Sequence, residues 1–418
     1  MLLTSLLLIL VALLGAPLFA VIAASAMLGF SRAEIDLSIV AIEFFGLAEM
    51  PILIAIPLFT FAGFLLSESG APNRLVRLSQ ALLGWLPGGL AIICLATCAL
   101  FTAFTGASGV TIIALGALFY PALRDAGYGD RFSLGLITTS GSLGLLFAPS
   151  LPLILYGIVA REPIDALFLA GILPGLLLVL VLALYSYWTN RSLRVPWTSS
   201  SAAELGAALR ESVWELPLPI VVLGGIYSGY FAVSEAAAVT VIYVFIVDVL
   251  ILREIKWAEL PGIMRESMVL VGAIFMILGV SLASTNYMID IGVPERLFEL
   301  IDGYVQGPAS FLLALIVFLL ILGAILDIFS ALVLVVPLIL PIAARYGIDP
   351  IHLGILFLAT MELGYLTPPV GLNLFISSFR FERGIVAVYR STLPFFLVLL
   401  LAVILLAYVP WLSLVLVR

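Results

Sequence analysis

The residues with chemistry to offer are few, and they sit in apolar surroundings. Asp327 and Glu362 are carboxylates within charge-poor runs, and Ser330, Thr367 and Asn373 lie close to them in sequence. A second polar string, FTAFTGASGVT, sets Thr105, Ser108 and Thr111 among Gly106 and Gly109, which let backbone approach closely. Prolines stand nearby in pairs: Pro149 with Pro152 (Ser150 between them), and Pro368 with Pro369. A proline removes a backbone donor and clashes one turn back, so two together should unwind a helix locally. Carbonyls freed that way can bind a cation such as sodium, and the N-terminus of the resumed half-helix can face an anion. A mere kink is the other reading of each pair. An isolated Ser or Thr in a membrane helix commonly bonds back to the preceding turn. An Asp at mid-membrane costs roughly 2.5–3.5 kcal/mol to insert, so Asp327 calls for a partner or a function, with structural hydrogen bonding as the alternative. Glu362 can serve the substrate pathway, carry a proton or partner another side chain. Ser108, Ser150, Asn373 and Glu362 are the candidates for substrate contact. Asp248, close to Arg253, reads as a helix-end charge.

Other chemistries lack their residues. His352 is the only histidine and Lys256 the only lysine. A Ser–Lys protease needs a buried lysine, and Lys256 falls in a loop. A phosphate-binding Gly-Lys loop is absent, because Lys256 follows Ile255. Cys94 and Cys98 lack further metal ligands and read as small buried residues. Of 418 residues, 64% are hydrophobic and 10% charged, against roughly 45–50% and about 25% in soluble domains. That excludes a soluble enzyme, a nucleic-acid binder and a disordered chain. Continuous rather than alternating apolar runs exclude a membrane β-barrel. The chain reads as an all-α polytopic protein of the lipid bilayer.

These residues must be positioned by spans and by breaks in spans. Met1 to Ser31 carries no charge and no basic leader, so it reads as a retained first span. Two charge-poor stretches exceed one span: Leu78–Leu123 with 46 residues, and Gly303–Ala344 with 42 and Asp327 near its middle. Each reads as a re-entrant hairpin with a small or polar tip, tolerated where protein or a wet cavity covers it. Nine crossings then remain. An N-terminus in the cytoplasm and a C-terminus outside put thirteen Lys/Arg inside against five outside.

An internal repeat runs through the chain. Pro121 and Pro341, Gly127 and Gly347, Gly144 and Gly364, Pro149 and Pro369, and Pro174 and Pro394 all differ by 220. GAPNRL at Gly70 echoes GVPERL at Gly292, and each begins an amphipathic helix suited to the membrane surface, with Leu75, Leu78, Leu82 and Leu83 on one face of the first. An odd number of crossings between the copies makes them inverted repeats, with two re-entrant hairpins and two broken helices whose tips meet near the centre. The expected division is scaffold at 1–70 and 216–292, arm helix and transport block at 71–190 and 293–418, and a cytoplasmic linker at 191–215.

At AIPLFTFAGFLL, LPGGLA, APSLPLILYG, FLAGILPGLLL, SEAAAV, GIDPIHLGIL and LGYLTPPVGLNLF, the chain resembles the large membrane subunit of tripartite ATP-independent periplasmic (TRAP) transporters, of the ion transporter superfamily. The resemblance implies sodium-driven uptake of an organic acid by an elevator movement across the bacterial inner membrane. It implies a small membrane subunit and a periplasmic substrate-binding protein as partners, and sodium as the transported ion. It also implies sodium ligands at Gly106, Ser108 and Gly109 with Pro149, and at Asp327 and Ser330 with Thr367 and Pro368. The first tip, GASGVTIIALG, departs from the family's serine- and alanine-rich string, which favours backbone over side-chain ligation there. A stand-alone sodium-coupled carboxylate symporter of the same superfamily is the alternative.

Overall fold

The computed structural model describes residues 7–8, 10–12, 14–83, 89–191, 202–303, 305 and 307–418. Most of the polar linker centre (192–201), the Gly84–Gly88 end of the first arm and part of the first expected span fall outside them. From Leu18 onward the described residues form helices joined by short turns. The first half of the chain holds α1 (Leu18–Arg32), α2 (Ser38–Gly46), α3 (Ala55–Glu68), α4 (Ala71–Leu83), α5 (Gly89–Thr105), α6 (Ser108–Asp125), α7 (Asp130–Ser140), α8 (Leu151–Ala160) and α9 (Ile164–Asn190). Then come α10 (Ala202–Glu211), α11 (Pro217–Tyr227), α12 (Val233–Phe245), α13 (Leu260–Asp290), α14 (Val293–Asp302), α15 (Pro308–Gly323), α16 (Ile328–Arg345), α17 (Pro350–Gly364), α18 (Leu372–Arg380), α19 (Ile385–Tyr408) and α20 (Trp411–Leu414).

The element bounds follow the 220-residue offset. Helix α6 runs from 108 to 125 and α16 from 328 to 345, while α7 begins at 130 and α17 at 350. The same stop follows α6 and α16. Gly127 and Gly347 take φ of 88° and 70°, and the residue after each donates back five positions, Tyr128 to Leu123 and Ile348 to Ala343. Glycine reaches this left-handed C′ position without a Cβ penalty.

Among the described residues, six helices are long and apolar enough to cross a membrane, or seven when the bent pair Asp130–Leu146 and Leu151–Ala160 counts as one. The sequence suggested nine crossings. Breaks cut apolar runs into shorter pieces, such as Leu18–Arg32, Pro217–Tyr227 and Pro350–Gly364. One long helix, Ile328–Arg345, is a hairpin arm rather than an expected crossing.

The core lies where the two copies interlock. Helix α6 packs on α18 of the other copy, and α16 packs on α8. Helix α7 lies along α19, and α17 along α9. Gly354 of α17 faces the Tyr156 ring, where an added Cβ would sit 2.4 Å away. Around this block, α13 supports α1, α2 and α3, and α3 also packs on α12.

The first arm, α4, buries Ala71, Leu75, Leu78 and Ala81. Leu82 stays exposed, because the contact with α10 centres on Leu78, Ala81 and Ala208. Two arginines tie the arm down. Arg74 bonds Glu215 at 2.7 Å and forks onto Glu254. Arg77 bonds Glu204 at 3.0 Å and also reaches Glu211. Burial pushes the Glu254 carboxyl up, but bonds from Arg74 and the Gly70 N–H, with the Arg74 charge, hold it below its ordinary value. Asp248 is 1% exposed, inside the π-helical stretch Ile246–Ile251 that continues α12, and feels Glu254, Arg74 and Glu215 rather than Arg253. It does stand in the last turn of its helix, as the sequence suggests, and it is buried there beside this cluster; Arg74 lies too far away in sequence to be paired with it by reading.

Candidate functional site

Both hairpin tips open onto one cavity of about 450 Å³. Gly106, Ser108 and Gly109 line it from the first tip, and Asp327 and Phe329 from the second. Tyr365, Ile376 of α18 and the α13 face at Ile274 and Ile277 complete most of the wall. The volume suits a small molecule, and the wall is largely apolar with few polar groups.

The first tip is built from backbone and hydroxyls. Helix α5 ends at Thr105, Gly106 turns with φ of 64°, and α6 starts at Ser108. The tip is wedged across the break between α7 and α8. An added Cβ on Gly106 would meet Leu151 at 2.6 Å, and one on Gly141 would meet the Ser108 carbonyl at 3.2 Å. Thr102 Oγ1 lies 2.6 Å from Thr111 Oγ1 and 2.9 Å from the Gly141 carbonyl. A hydroxyl has one proton, so Thr111 donates to Thr102 when Thr102 donates to a carbonyl. The break itself comprises the turn Leu143–Leu146, a cis Ala148–Pro149 bond and a 44° bend. Ser150 precedes α8 without capping it. Thr105 Oγ1, Thr139 Oγ1, Ser150 Oγ and Asn373 Oδ1 are buried and lack a hydrogen-bond partner among the described residues. Such oxygens are costly to leave bare and suit a dehydrated cation.

The second tip carries a charge, and hydrogen bonds already hold it. Asp327 caps α16: Oδ1 accepts from the Phe329 and Ser330 N–H groups, each at 3.0 Å, and Oδ2 accepts from Ser330 Oγ. The tip also closes on its break. The Val370 and Gly371 N–H groups donate to the Ala324 carbonyl at 3.1 and 3.2 Å, and the Ile328 N–H donates to Tyr365 Oη at 2.7 Å. A Cβ on Gly364 would stand 2.6 Å from Gly323 Cα. Thr367 turns its hydroxyl back to the Gly364 carbonyl at 2.6 Å, as a Ser or Thr near a helix end often does. Pro368 is exposed, next to a cis bond with Pro369.

The structure therefore gathers Gly106, Ser108, Gly109 and Asp327 around one cavity. Pro149 and Ser150, and Thr367 and Pro368, lie at the breaks behind the tips. Asn373 moves between sites: placed by sequence beside the second break, it donates through Nδ2 to the Thr138 carbonyl of the first broken helix at 3.3 Å. Glu362 does not line the cavity; it is 2% exposed, inside α17. Sequence reasoning missed Tyr365 and the Thr138–Ser377 bond at 2.9 Å. Tyr365 directly precedes Leu366–Pro369, so the string YLTPP was its available clue.

Fold and site together define a class: a multi-span helical membrane protein whose interior cavity lies between two hairpin tips, each beside a helix break. Residues 3–412 match the family described as Tripartite ATP-independent periplasmic transporter, DctM component. The chain belongs to that family, whose members are permease subunits and not enzymes. It is 34% identical over 377 residues to the C4-dicarboxylate TRAP transporter large permease protein DctM of Pseudomonas aeruginosa, covering 90% of this chain and 88% of that one. It is 32% identical over 364 residues to the ectoine TRAP transporter large permease protein TeaC of Halomonas elongata, covering 87% and 85%. To the isethionate TRAP transporter permease protein DctMQ of Oleidesulfovibrio alaskensis it is 33% identical over 371 residues, covering 88% of this chain and 58% of that one. The solved structure of the Alcanivorax borkumensis YdaH transporter shares the fold, with a TM-score of 0.53 at 15% identity over 89% of this chain and 87% of that one.

Proposed function

We propose that this permease takes up a small organic acid across the bacterial inner membrane, driven by sodium. Substrate arrives from a periplasmic binding protein, and a small membrane subunit completes the transporter. The carrying observation is that two tips, 220 residues apart in sequence, wall a single cavity while each closes on a helix break. One cavity between two ion-type sites is what coupling requires, because bringing an anion into a low-dielectric interior is offset by cations bound beside it. The orphaned oxygens of Thr105, Thr139 and Ser150 support a neutral cation site at the first tip, and Asp327 supports a charged one at the second. The relatives' names span dicarboxylate, sulfonate and zwitterionic cargo, which supports an anionic group as the common handle.

In this reading the two copies are inverted, with the N-terminus in the cytoplasm and the C-terminus in the periplasm. Residues 71–190 and 293–418 move as an elevator against a scaffold of 1–70 and 216–292. Interlocking of α6 with α18 and of α16 with α8 supports a single moving block. Uptake into proteoliposomes holding both membrane subunits, measured against sodium with loaded binding protein present or omitted, tests the reading. Uptake should require both. Sodium-driven uptake without the binding protein would replace it with a stand-alone symporter.

A further inference from the structure

A cation stands at the rim of the central cavity, beside a wall that has none of its own. Among the described residues lining the cavity, Asp327 is the only charged one, so an anion inside meets no fixed positive charge. Leu372 and Ile376 of α18 belong to that wall, and Arg380 follows Ile376 by four residues on the same helix. Positions four apart share a helix face, so Arg380 stands one turn, roughly 6 Å, farther along it. Its Nε–H donates to the Ile113 carbonyl of α6 at 3.2 Å, and Ile113 is itself a wall residue. The arginine therefore ties the two helices together at the cavity's edge. Beyond it lie two open concavities, of about 310 and 740 Å³, and Arg380 lines both. Gly116 and Ala117, about one turn past Ile113 on α6, line the smaller one. The path out of the cavity thus continues along the same two helices, past this side chain.

Arg380 keeps donors in hand for a ligand. A guanidinium carries five N–H groups in a fixed fork, and the bond to Ile113 uses one. Among the described residues no carboxylate pairs with it; Glu382 lines the same two concavities without forming an ion pair. The neighbouring arginines differ, since Arg383 and Arg124 both lie on Asp130, at 3.3 and 3.6 Å. An anion moving outward parts from the cations proposed at the tips while apolar side chains, Phe375 and Phe379 among them, still flank it. Its charge then needs a new partner, because desolvation without one is costly. A guanidinium meets a carboxylate through two parallel N–H bonds, which fix orientation as well as charge. We propose that Arg380 is a substrate-binding residue at the mouth of the cavity, holding the anionic group of the transported acid on its way to the cytoplasmic side. The same fork selects organic acids against neutral solutes of similar size.

The inference rests on the transport reading, and two experiments keep their failures apart. In the first, the purified permease in detergent is treated with the arginine reagent phenylglyoxal, and adducts are mapped by peptide mass spectrometry. Sodium succinate or sodium isethionate should slow modification of Arg380 several-fold relative to sodium chloride at equal sodium, and leave the exposed Arg210 unchanged. Equal modification of Arg380 with and without both acids would overturn the proposal. So would protection by phosphatidylglycerol alone, which would assign the guanidinium to a lipid headgroup. This measurement needs no variant and no transport. In the second, proteoliposomes hold both membrane subunits and take up the labelled acid bound by the purified binding protein. Arg380→Gln should lower the initial rate roughly tenfold, the loss of a charged hydrogen bond, and Arg380→Lys should lower it less. The sodium concentration for half-maximal uptake should stay where it is, because Arg380 lies away from both tips. Unaltered uptake in Arg380→Gln at normal folded yield, or a raised sodium requirement, would overturn the proposal. Protection of Arg380 without any sodium-driven uptake in the wild type would sink the transport reading and leave the anion site standing.

Discussion

The two hairpin tips occupy matching places and solve them with different chemistry. Position 107 is Ala and position 327, 220 residues on, is Asp; both precede the first residue of the returning arm. Ala107 offers its helix no side-chain cap, and the first tip and the break behind it hold neutral oxygens, those of Thr105, Thr139 and Ser150 unpartnered among the described residues. Asp327 gives three acceptor contacts to the start of α16. The difference teaches that a charge in such a tip need not be free for ion binding: part of its field already stabilises the helix end. The uncharged tip, by contrast, has Thr105 Oγ1 buried and unpartnered among the described residues.

The largest effect expected concerns how each tip meets its neighbours. Gly364→Ala drives a Cβ to 2.6 Å from backbone at Gly323, whereas Gly109→Ala meets the flexible end of Ile376 at 2.7 Å. The first should cost about 3 kcal/mol and the second much less, read as thermal unfolding midpoints in detergent. Equal midpoints would mean that the Gly323–Gly364 contact yields as easily as a side chain.

Next come the hydroxyls. Ser330→Ala removes a bond to a carboxylate and should cost about 2 kcal/mol, while Thr111→Val removes a neutral bond worth about 1 kcal/mol. The reverse order would mean that the Thr102–Thr111 bond matters more to the fold than the Ser330–Asp327 bond. Asp327→Asn should raise the sodium concentration for half-maximal uptake about tenfold, or ~1.4 kcal/mol. Its folded yield should hold, since Asn caps helices as well as Asp. An unchanged sodium dependence would assign Asp327 wholly to capping. The smallest effect sharpens the comparison directly. Ala107→Asp should install the missing cap and raise the unfolding midpoint by the equivalent of about 0.5–1 kcal/mol; a lowered midpoint would show that the first tip cannot accept the second tip's solution.

Much of this arrangement was legible in sequence, for a physical reason. Helix stops and breaks are carried by Gly and Pro, whose backbone demands are local, so the 220-residue offset of Gly127 and Pro149 with Gly347 and Pro369 anticipates matching helix ends. Asp327 at a tip was legible because an acid in an apolar run has few roles. What stayed hidden depends on partners far away in the chain. Nothing near Asn373 says that it reaches Thr138. Nothing near Asp248 says that Arg74 and Glu215 will come within its electrostatic reach. The capping role of Asp327 needs only Phe329 and Ser330, yet it emerges only once the helix start is fixed at Ile328.

The crosswise packing of the hairpin arms has a consequence for how such a molecule can be divided or altered. Helix α6 rests on α18, and α16 on α8, so each copy's returning arm takes its support from the other copy's resumed half-helix. A chain severed in the linker would yield two fragments, each exposing the face its counterpart should cover. Neither would own a complete tip until they found each other. By the same token, a substitution in one of these arms is answerable to residues in the other half of the chain.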